Sequence, residues 1–168
     1  MTKLDNIKEA GFKVTWKVIN IGFRGSKVFS YELSPRDIID YALLQLEMGC
    51  EDEELNELAC EYDTNIEDID NLVKKLANKE NTDYNTEFRK WIVLYVKKKL
   101  PTEKTEYING LIALGDIWAV LDFPEDSPHT FQGQGNDITP EQYYTEDNYK
   151  ELLNKHKDWL EKEVEKLV

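Results

Sequence analysis

The sequence is short of cysteine, of histidine and of long apolar runs, and each shortage excludes a class of protein. Cys50 and Cys60 are the only cysteines among 168 residues, too few for a disulfide-held secreted scaffold, so we expect both thiols to be free. The two histidines, His129 and His156, lie far from them in the sequence, so neither a metal site nor a cofactor is expected. No apolar run approaches the roughly 18 residues that cross a bilayer, and the N-terminus lacks the apolar stretch of a signal peptide. These features predict a cytoplasmic protein.

Cations are also scarce relative to acids. The chain carries 34 Asp and Glu against 21 Lys and Arg, a net charge of −13. Such a charge disfavours binding to nucleic acids and to anionic membranes, and it permits a basic protein as partner. The alternative is that the acidity only keeps the protein soluble. Oligomeric state does not follow from charge.

Large apolar side chains, by contrast, are plentiful. Hydrophobic residues make up 40% of the chain, including four Trp, nine Tyr and six Phe, which excludes a disordered acidic chain. A chain of this length buries a core without disulfides or metals. We therefore predict one compact domain over residues 1–168.

Apolar residues at helical spacing, together with helix start and stop signals, predict an all-α or nearly all-α fold. The clearest start is Ser34-Pro35-Arg36-Asp37, with a hydroxyl cap, a proline at the first helical position and an acid in the first turn. Phe12, Val14 and Trp16 also fit a strand, so residues 1–30 are either helix or strand. The remaining predicted helices begin or lie near Trp16, Leu55, Ile66, Glu87, Tyr107, Thr139 and Thr145, and the 107–121 helix is expected to be central and buried.

Ten acids and no Lys or Arg lie between Glu51 and Val73, which we call the acidic segment. Its apolar residues are predicted to point inward as two helical stripes, so the carboxylates are expected to face outward and to dock a basic partner. A solvated surface is the alternative, and a calcium loop is disfavoured because the alternating Asp-x-Asp-x-Asp-Gly pattern is missing. The stripe residues are Leu55, Leu58, Tyr62, Ile66, Ile69 and Val73. The candidate partner-binding residues are Glu51, Glu54, Glu57, Glu61, Asp63, Glu67 and Asp68.

Residues 122–137 form a predicted irregular loop, rich in proline and glycine, ahead of the C-terminal helix. Ser127 and His129 raise the possibility of a hydrolase, but a nucleophile needs a base that a third group holds in a pocket. The favoured interpretation is a structured loop that Phe123 and Phe131 pack over the helices. Its candidate structural residues are Asp126, Ser127, His129, Gln132 and Asn136. His156, on an apolar stripe, is expected to be a half-buried core histidine.

Three stretches of the sequence resemble one bacterial family. The longest begins at Asp122 and reads Asp-Phe-Pro-Glu-Asp-Ser-Pro-His-Thr-Phe-Gln-Gly-Gln-Gly-Asn, followed by Ile-Thr-Pro-Glu-Gln-Tyr-Tyr-Thr from Ile138. The others are Leu33-Ser-Pro-Arg-Asp-Ile-Ile-Asp-Tyr-Ala and Glu87-Phe-Arg-Lys-Trp. Over roughly residues 12 to 168 the chain is similar to the uncharacterised family catalogued as domain of unknown function 2247. The resemblance implies a bacterial, mostly helical protein, and it brings no catalytic residues.

These observations favour a non-enzymatic binding protein. The leading hypothesis is an immunity-type inhibitor that masks a cognate basic toxin, by analogy with other small acidic bacterial families. The first alternative is a cytosolic scaffold or regulatory module. The second is a hydrolase that uses the 122–137 loop.

Overall fold

The computed structural model describes residues 3–26, 28, 30 and 32–168. Helices account for 65% of the described residues, and no strand occurs among them, so the predicted all-α fold is confirmed there. Phe12 and Val14 therefore belong to no strand, and Trp16 begins a helix instead. In chain order the helices are α1 Lys3–Glu9, α2 Trp16–Arg24, α3 Pro35–Glu47, α4 Glu53–Ala59, α5 Ile66–Lys79, α6 Tyr84–Lys99, α7 Tyr107–Val120, α8 Pro140–Tyr143 and α9 Glu146–Leu167.

The chain divides into two compact units. Unit 1 comprises Met1–Leu94 with Leu167–Val168, and unit 2 comprises Tyr95–Lys166. The single domain expected for residues 1–168 stays a prediction, because the compactness of each unit does not decide whether either folds alone.

In unit 1, helix α5 holds both ends of α2. The carboxylate of Glu80, just after α5, accepts hydrogen bonds from the backbone N–H groups of Trp16 and Lys17 at 2.8 and 2.9 Å. At the other end, the Arg24 guanidinium donates two bonds to Asp70 of α5, at 2.7 and 3.0 Å. The two helices therefore run antiparallel and are fixed at both ends.

Helix α3 begins where its sequence predicts. Ser34 and Asp37 form a reciprocal capping box, with Pro35 at the first helical position. The helix ends at Glu47, and Gly49 follows with φ +85°, a left-handed conformation that glycine adopts without steric cost.

A buried ion pair lies beneath α2. Glu87 and Lys90, one helical turn apart on α6, are 3% and 4% exposed, with the Lys90 Nζ 3.0 Å from Glu87 Oε2. The Thr15 hydroxyl donates to Glu87 Oε2 at 2.7 Å and accepts from the N–H of Val18, so it also caps α2. Lys90 donates a further bond to the Lys13 carbonyl at 3.2 Å. These partners satisfy two charges that would otherwise be costly to bury.

The core of unit 2 forms between α7, α8 and α9. Its buried cluster contains Leu111, Leu114, Tyr143, Tyr149, Leu152 and Leu153. A Cβ at Gly110 of α7 would lie 2.3 Å from Cε2 of Tyr149, so glycine permits this close approach of α7 to the Tyr149 ring. The capping box predicted for α8 is present, between Thr139 and Gln142.

Several predicted positions are wrong. Tyr62 and Ile66 do not belong to the inward stripe, because they are 75% and 50% exposed, and α4 is only seven residues long and ends before Tyr62. By contrast, both thiols are free, as predicted, and both are exposed, with Cys60 capping the end of α4. His156 is completely buried instead of half-buried. Helix α7 is buried on one face only, because Ile108, Ile112 and Val120 are 41 to 49% exposed.

Candidate functional site

The acidic segment folds into α4, α5 and the turn between them. Among its candidate residues, Glu51, Glu57, Asp63, Glu67 and Asp68 are exposed, as predicted. None of these five has an ion-pair partner within the described part of the chain. Glu61 is half-buried and accepts a hydrogen bond from the Asn65 amide at 2.9 Å. The expected outward face therefore exists.

Cations from outside the segment neutralise part of it. Lys79, in the last turn of α5, donates to Asp52 at 2.7 Å and also to Glu54. The hydrogen bond from Lys79 is the main reason that the pKa of Asp52 is lowered. Burial acts to raise the pKa of Asp70, but hydrogen bonds from Arg24 and Lys74 outweigh it, and the net pKa is lowered. Glu54 is thus half-buried and paired, which makes it a poor candidate for contact with a partner.

Helix geometry explains some of the remaining acids. Glu53 and Glu54 lie in the first turn of α4, and Glu67 and Asp68 lie in the first turn of α5. Carboxylates there stabilise a helix by interacting with its positive end. Glu57 and Asp63 have neither this role nor a cation partner, so the local structure does not account for them.

The turn between α4 and α5 combines these carboxylates with exposed apolar side chains. We call Glu61, Tyr62, Asp63, Ile66 and Glu67 the junction patch. Tyr62 is 75% exposed and Ile66 is 50% exposed, although both have the size of core residues. Large apolar side chains among charged ones are typical of surfaces that bind other proteins, where an aromatic anchor supplies binding energy and the charges supply steering.

The loop before α8 is ordered by its own hydrogen bonds, as predicted for a structured loop. The Asn136 side chain accepts from the N–H groups of Gly133 and Ile138 at 3.1 and 3.2 Å, and it donates to the carbonyls of Phe131 and Gln134 at 2.9 and 3.0 Å. Gln132 donates to the Ile138 carbonyl at 3.1 Å. Phe123 and Phe131 meet edge to face with ring centroids 5.0 Å apart, but Phe123 is 48% exposed and covers less than expected. Asp126 is exposed.

Ser127 and His129 do not form a nucleophile and base. The Ser127 hydroxyl oxygen accepts from the backbone N–H of His129 at 3.2 Å. The His129 ring is instead buried beneath the loop, where its Nε2 lies 2.9 Å from the Tyr143 hydroxyl. In this geometry the imidazole does not activate the serine, which argues against the hydrolase hypothesis.

The two histidines lie together in the core of unit 2. Their ring centroids are 5.5 Å apart, and the Nε2 of His156 accepts the indole N–H of Trp118 at 2.6 Å. Since an indole only donates, His156 carries its proton on Nδ1, which bonds the Leu152 carbonyl at 2.6 Å. Burial, and secondly the nearby His156, lowers the pKa of His129 to about 4. Burial likewise lowers the pKa of His156, so both rings are neutral at pH 7.

The sequence of this chain matches one bacterial protein family. The model of a family described as uncharacterised proteins conserved in bacteria, DUF2247, matches residues 4–164. The chain belongs to DUF2247. No curated protein and no solved structure matches it.

None of the helices described is both long and apolar enough to cross a membrane. Within the same residues, no group of three or more His, Cys, Asp or Glu side chains is placed to hold a metal ion.

The sequence-based interpretation missed the buried Thr15–Glu87–Lys90 network and the exposure of Tyr62 and Ile66. The i, i+3 spacing of Glu87 and Lys90 was a visible signal for the ion pair, although its burial depends on packing against α2. The exposure of Tyr62 had no such signal, because its spacing from Leu55 and Leu58 fits a helical stripe.

Proposed function

We propose that this DUF2247 protein is a non-enzymatic cytoplasmic protein that binds a basic partner through the junction patch and acts as an immunity-type inhibitor of a bacterial toxin. The observation that carries the proposal is the exposure of Tyr62 and Ile66 among carboxylates without cation partners. An isolated solvated surface does not need a tyrosine and an isoleucine there. The partner would be blocked sterically, because the patch would cover its positively charged substrate groove.

Charge and geometry support this mechanism. The exposed acids of the segment that form no ion pair with the described residues are available to speed association with a basic protein. Such steering weakens with salt, since the Debye length is about 8 Å at physiological ionic strength. The apolar contacts of Tyr62 and Ile66 would depend less on salt and would slow dissociation.

The test uses this chain as bait for proteins of the native organism. Tyr62→Ala with Asp63→Asn should lose a basic partner that the parent retains, while its melting temperature stays close to that of the parent. Asp147→Asn provides a control, because Asp147 is also an exposed acid but lies in the first turn of α9. If the double variant and the control both retained every basic partner with the parent's association rate at low salt, the junction patch would not be the binding surface.

A second experiment separates the inhibitor from the scaffold or regulatory module. The captured partner is assayed for nuclease and other toxic activity with and without a stoichiometric amount of this chain. If the parent chain abolishes the partner's activity and the double variant does not, the result supports the inhibitor. If the partner stays active in a stable complex with this chain, the result favours the scaffold. A scaffold needs the same exposed surface but does not block the partner's active site.

A further inference from the structure

A groove adjoins the junction patch in unit 1. It has a volume of about 980 Å³ and lies between the end of α2, the start of α3 and the start of α5. Clefts that bind ligands commonly measure about 300–1,000 Å³. Ile66 and Glu67 line the groove and also belong to the junction patch, so the two features form one continuous surface.

The groove combines an apolar lining with an acidic rim. Among the described residues, the apolar lining consists of Phe23 and Leu33, which are only 7% and 3% exposed, and of Pro35 and Ile66, which present more surface. Within the described part of the chain, four carboxylates and the guanidinium of Arg24 form the charged lining, and that guanidinium already forms two hydrogen bonds with Asp70. The groove therefore attracts cations and offers an apolar surface in the same place.

The walls of the groove are fixed before any partner arrives. The Arg24–Asp70 pair ties α2 to α5, and the backbone N–H groups of Glu32 and Leu33 donate to the Gly22 carbonyl at 2.8 and 3.2 Å. The capping box at Ser34 fixes the start of α3. A site whose walls are already ordered loses less conformational entropy on binding.

We propose that the groove holds a segment of the partner protein in which a large apolar side chain is flanked by Lys or Arg. The inference rests on the proposed function and adds the chemistry of the segment that the partner inserts. The apolar side chain lies against Ile66 and Pro35, the apolar lining residues that are not buried in the core. The flanking cations lie near Glu67 and Asp37. An acidic segment is repelled by the same rim.

Three labelled synthetic octapeptides test the proposal by fluorescence anisotropy against the full chain at low and at physiological salt. The first has Lys and Arg around a central Leu-Trp pair, the second has Gly-Gly in place of that pair, and the third has Glu in place of the cations. The first peptide should bind most tightly. Ile66→Gln should weaken the affinity of the chain for this peptide by about fivefold, as expected for the partial loss of one buried aliphatic side chain. Ile112→Gln is the matched control, since Ile112 is 49% exposed on α7, outside the groove.

The pattern of results distinguishes this inference from the proposed function. If the first two peptides bound equally and Ile66→Gln had no effect, the acidic surface would still bind cations and the groove proposal alone would fail. If the acidic peptide bound as well as the basic one, charge complementarity would be refuted. If no peptide bound, or if amide chemical shifts at Leu33 and Glu67 did not change on binding, the groove would be closed to a partner or filled by another part of this chain. Either result overturns the proposal.

Discussion

Trp118 lies in the core of unit 2, where its ring is both packed and hydrogen-bonded. Its ring is fully buried, it meets Trp159 edge to face with centroids 5.1 Å apart, and its indole N–H donates to His156. One side chain thus combines a large apolar area with a hydrogen bond that determines the tautomer of a buried histidine. Truncating the Trp118 side chain and removing only its N–H donor should therefore lower the free energy of unfolding by different amounts.

We expect Trp118→Ala to lower the free energy of unfolding by about 3–5 kcal/mol, because it leaves a large cavity. Trp118→Phe keeps most of the ring and removes the donor, so it should cost about 1–3 kcal/mol through the unsatisfied Nε2 of His156. Urea titration of both variants measures the difference. A loss below about 1 kcal/mol for Trp118→Ala would contradict the burial of this ring.

At the scale of elements, the approach of α7 to Tyr149 of α9 depends on Gly110. The Tyr149 ring has little freedom to move, because it is 2% exposed and its hydroxyl donates to the Thr102 carbonyl at 2.7 Å. The same helix contains Gly115, where a Cβ would lie 3.6 Å from the nearest atom, Nε2 of His129. The two glycines differ in the space that surrounds them.

Gly110→Ala should destabilise the protein by about 1–3 kcal/mol, because the overlap with Tyr149 exceeds the gain of roughly 1 kcal/mol in helix propensity. Gly115→Ala is the matched control and should be neutral or stabilising. Thermal unfolding followed by circular dichroism compares the two. Equal effects of the two substitutions would show that α7 and Tyr149 are not in close contact.

On the scale of the whole molecule, the buried histidines make stability depend on pH. The pKa of His129 is about 4 in the folded chain and about 6.5 when unfolded, so the unfolded chain binds more protons between these values. The contribution of His129 is complete above pH 6.5 and is lost as the pH falls toward 4. His156, whose pKa is also lowered, acts in the same direction.

Between pH 6.5 and 4 we expect His129 to lower the free energy of unfolding by up to about 1.4 kcal/mol per pH unit, and His156 to add a fall in the same direction. His129→Gln removes one titrating group and should flatten the slope by up to that amount, whatever it does to the stability at pH 7. Urea titration at several pH values measures both slopes. An unchanged slope would mean that His129 titrates normally in the folded chain.

The net charge of −13 is also a property of the whole molecule, and the structure shows which acids contribute to repulsion. Glu57→Gln with Asp63→Asn should raise the melting temperature slightly at low salt or leave it unchanged, because both are exposed and lack a cation partner. Asp52→Asn with Glu54→Gln should lower it, because this pair binds Lys79 and Asp52 also caps α4.

Melting curves at two ionic strengths compare the two double variants. Added salt should reduce the rise in melting temperature that Glu57→Gln with Asp63→Asn produces. A fall in melting temperature for Glu57→Gln with Asp63→Asn would show that these carboxylates stabilise the folded state. That result would also weaken the assignment of the acids to a partner.

The sequence by itself determined most of the helices from Ser34 onward and several of their ends, because capping groups and apolar spacing act within a few residues. Ser34-Pro35, Thr139-Pro140 and Met48-Gly49 mark helix ends where the structure has them. Only the tertiary structure decided which apolar residues are buried, because the same spacing serves a core stripe and an exposed patch. Tyr62 and Ile66 lie outside the core since α4 ends at Ala59, and Lys79 reaches Asp52 and Glu54 since α5 packs against α4. The groove likewise depends on α5 meeting α2 and α3, from which α4 separates it in sequence, and no local pattern encodes that meeting.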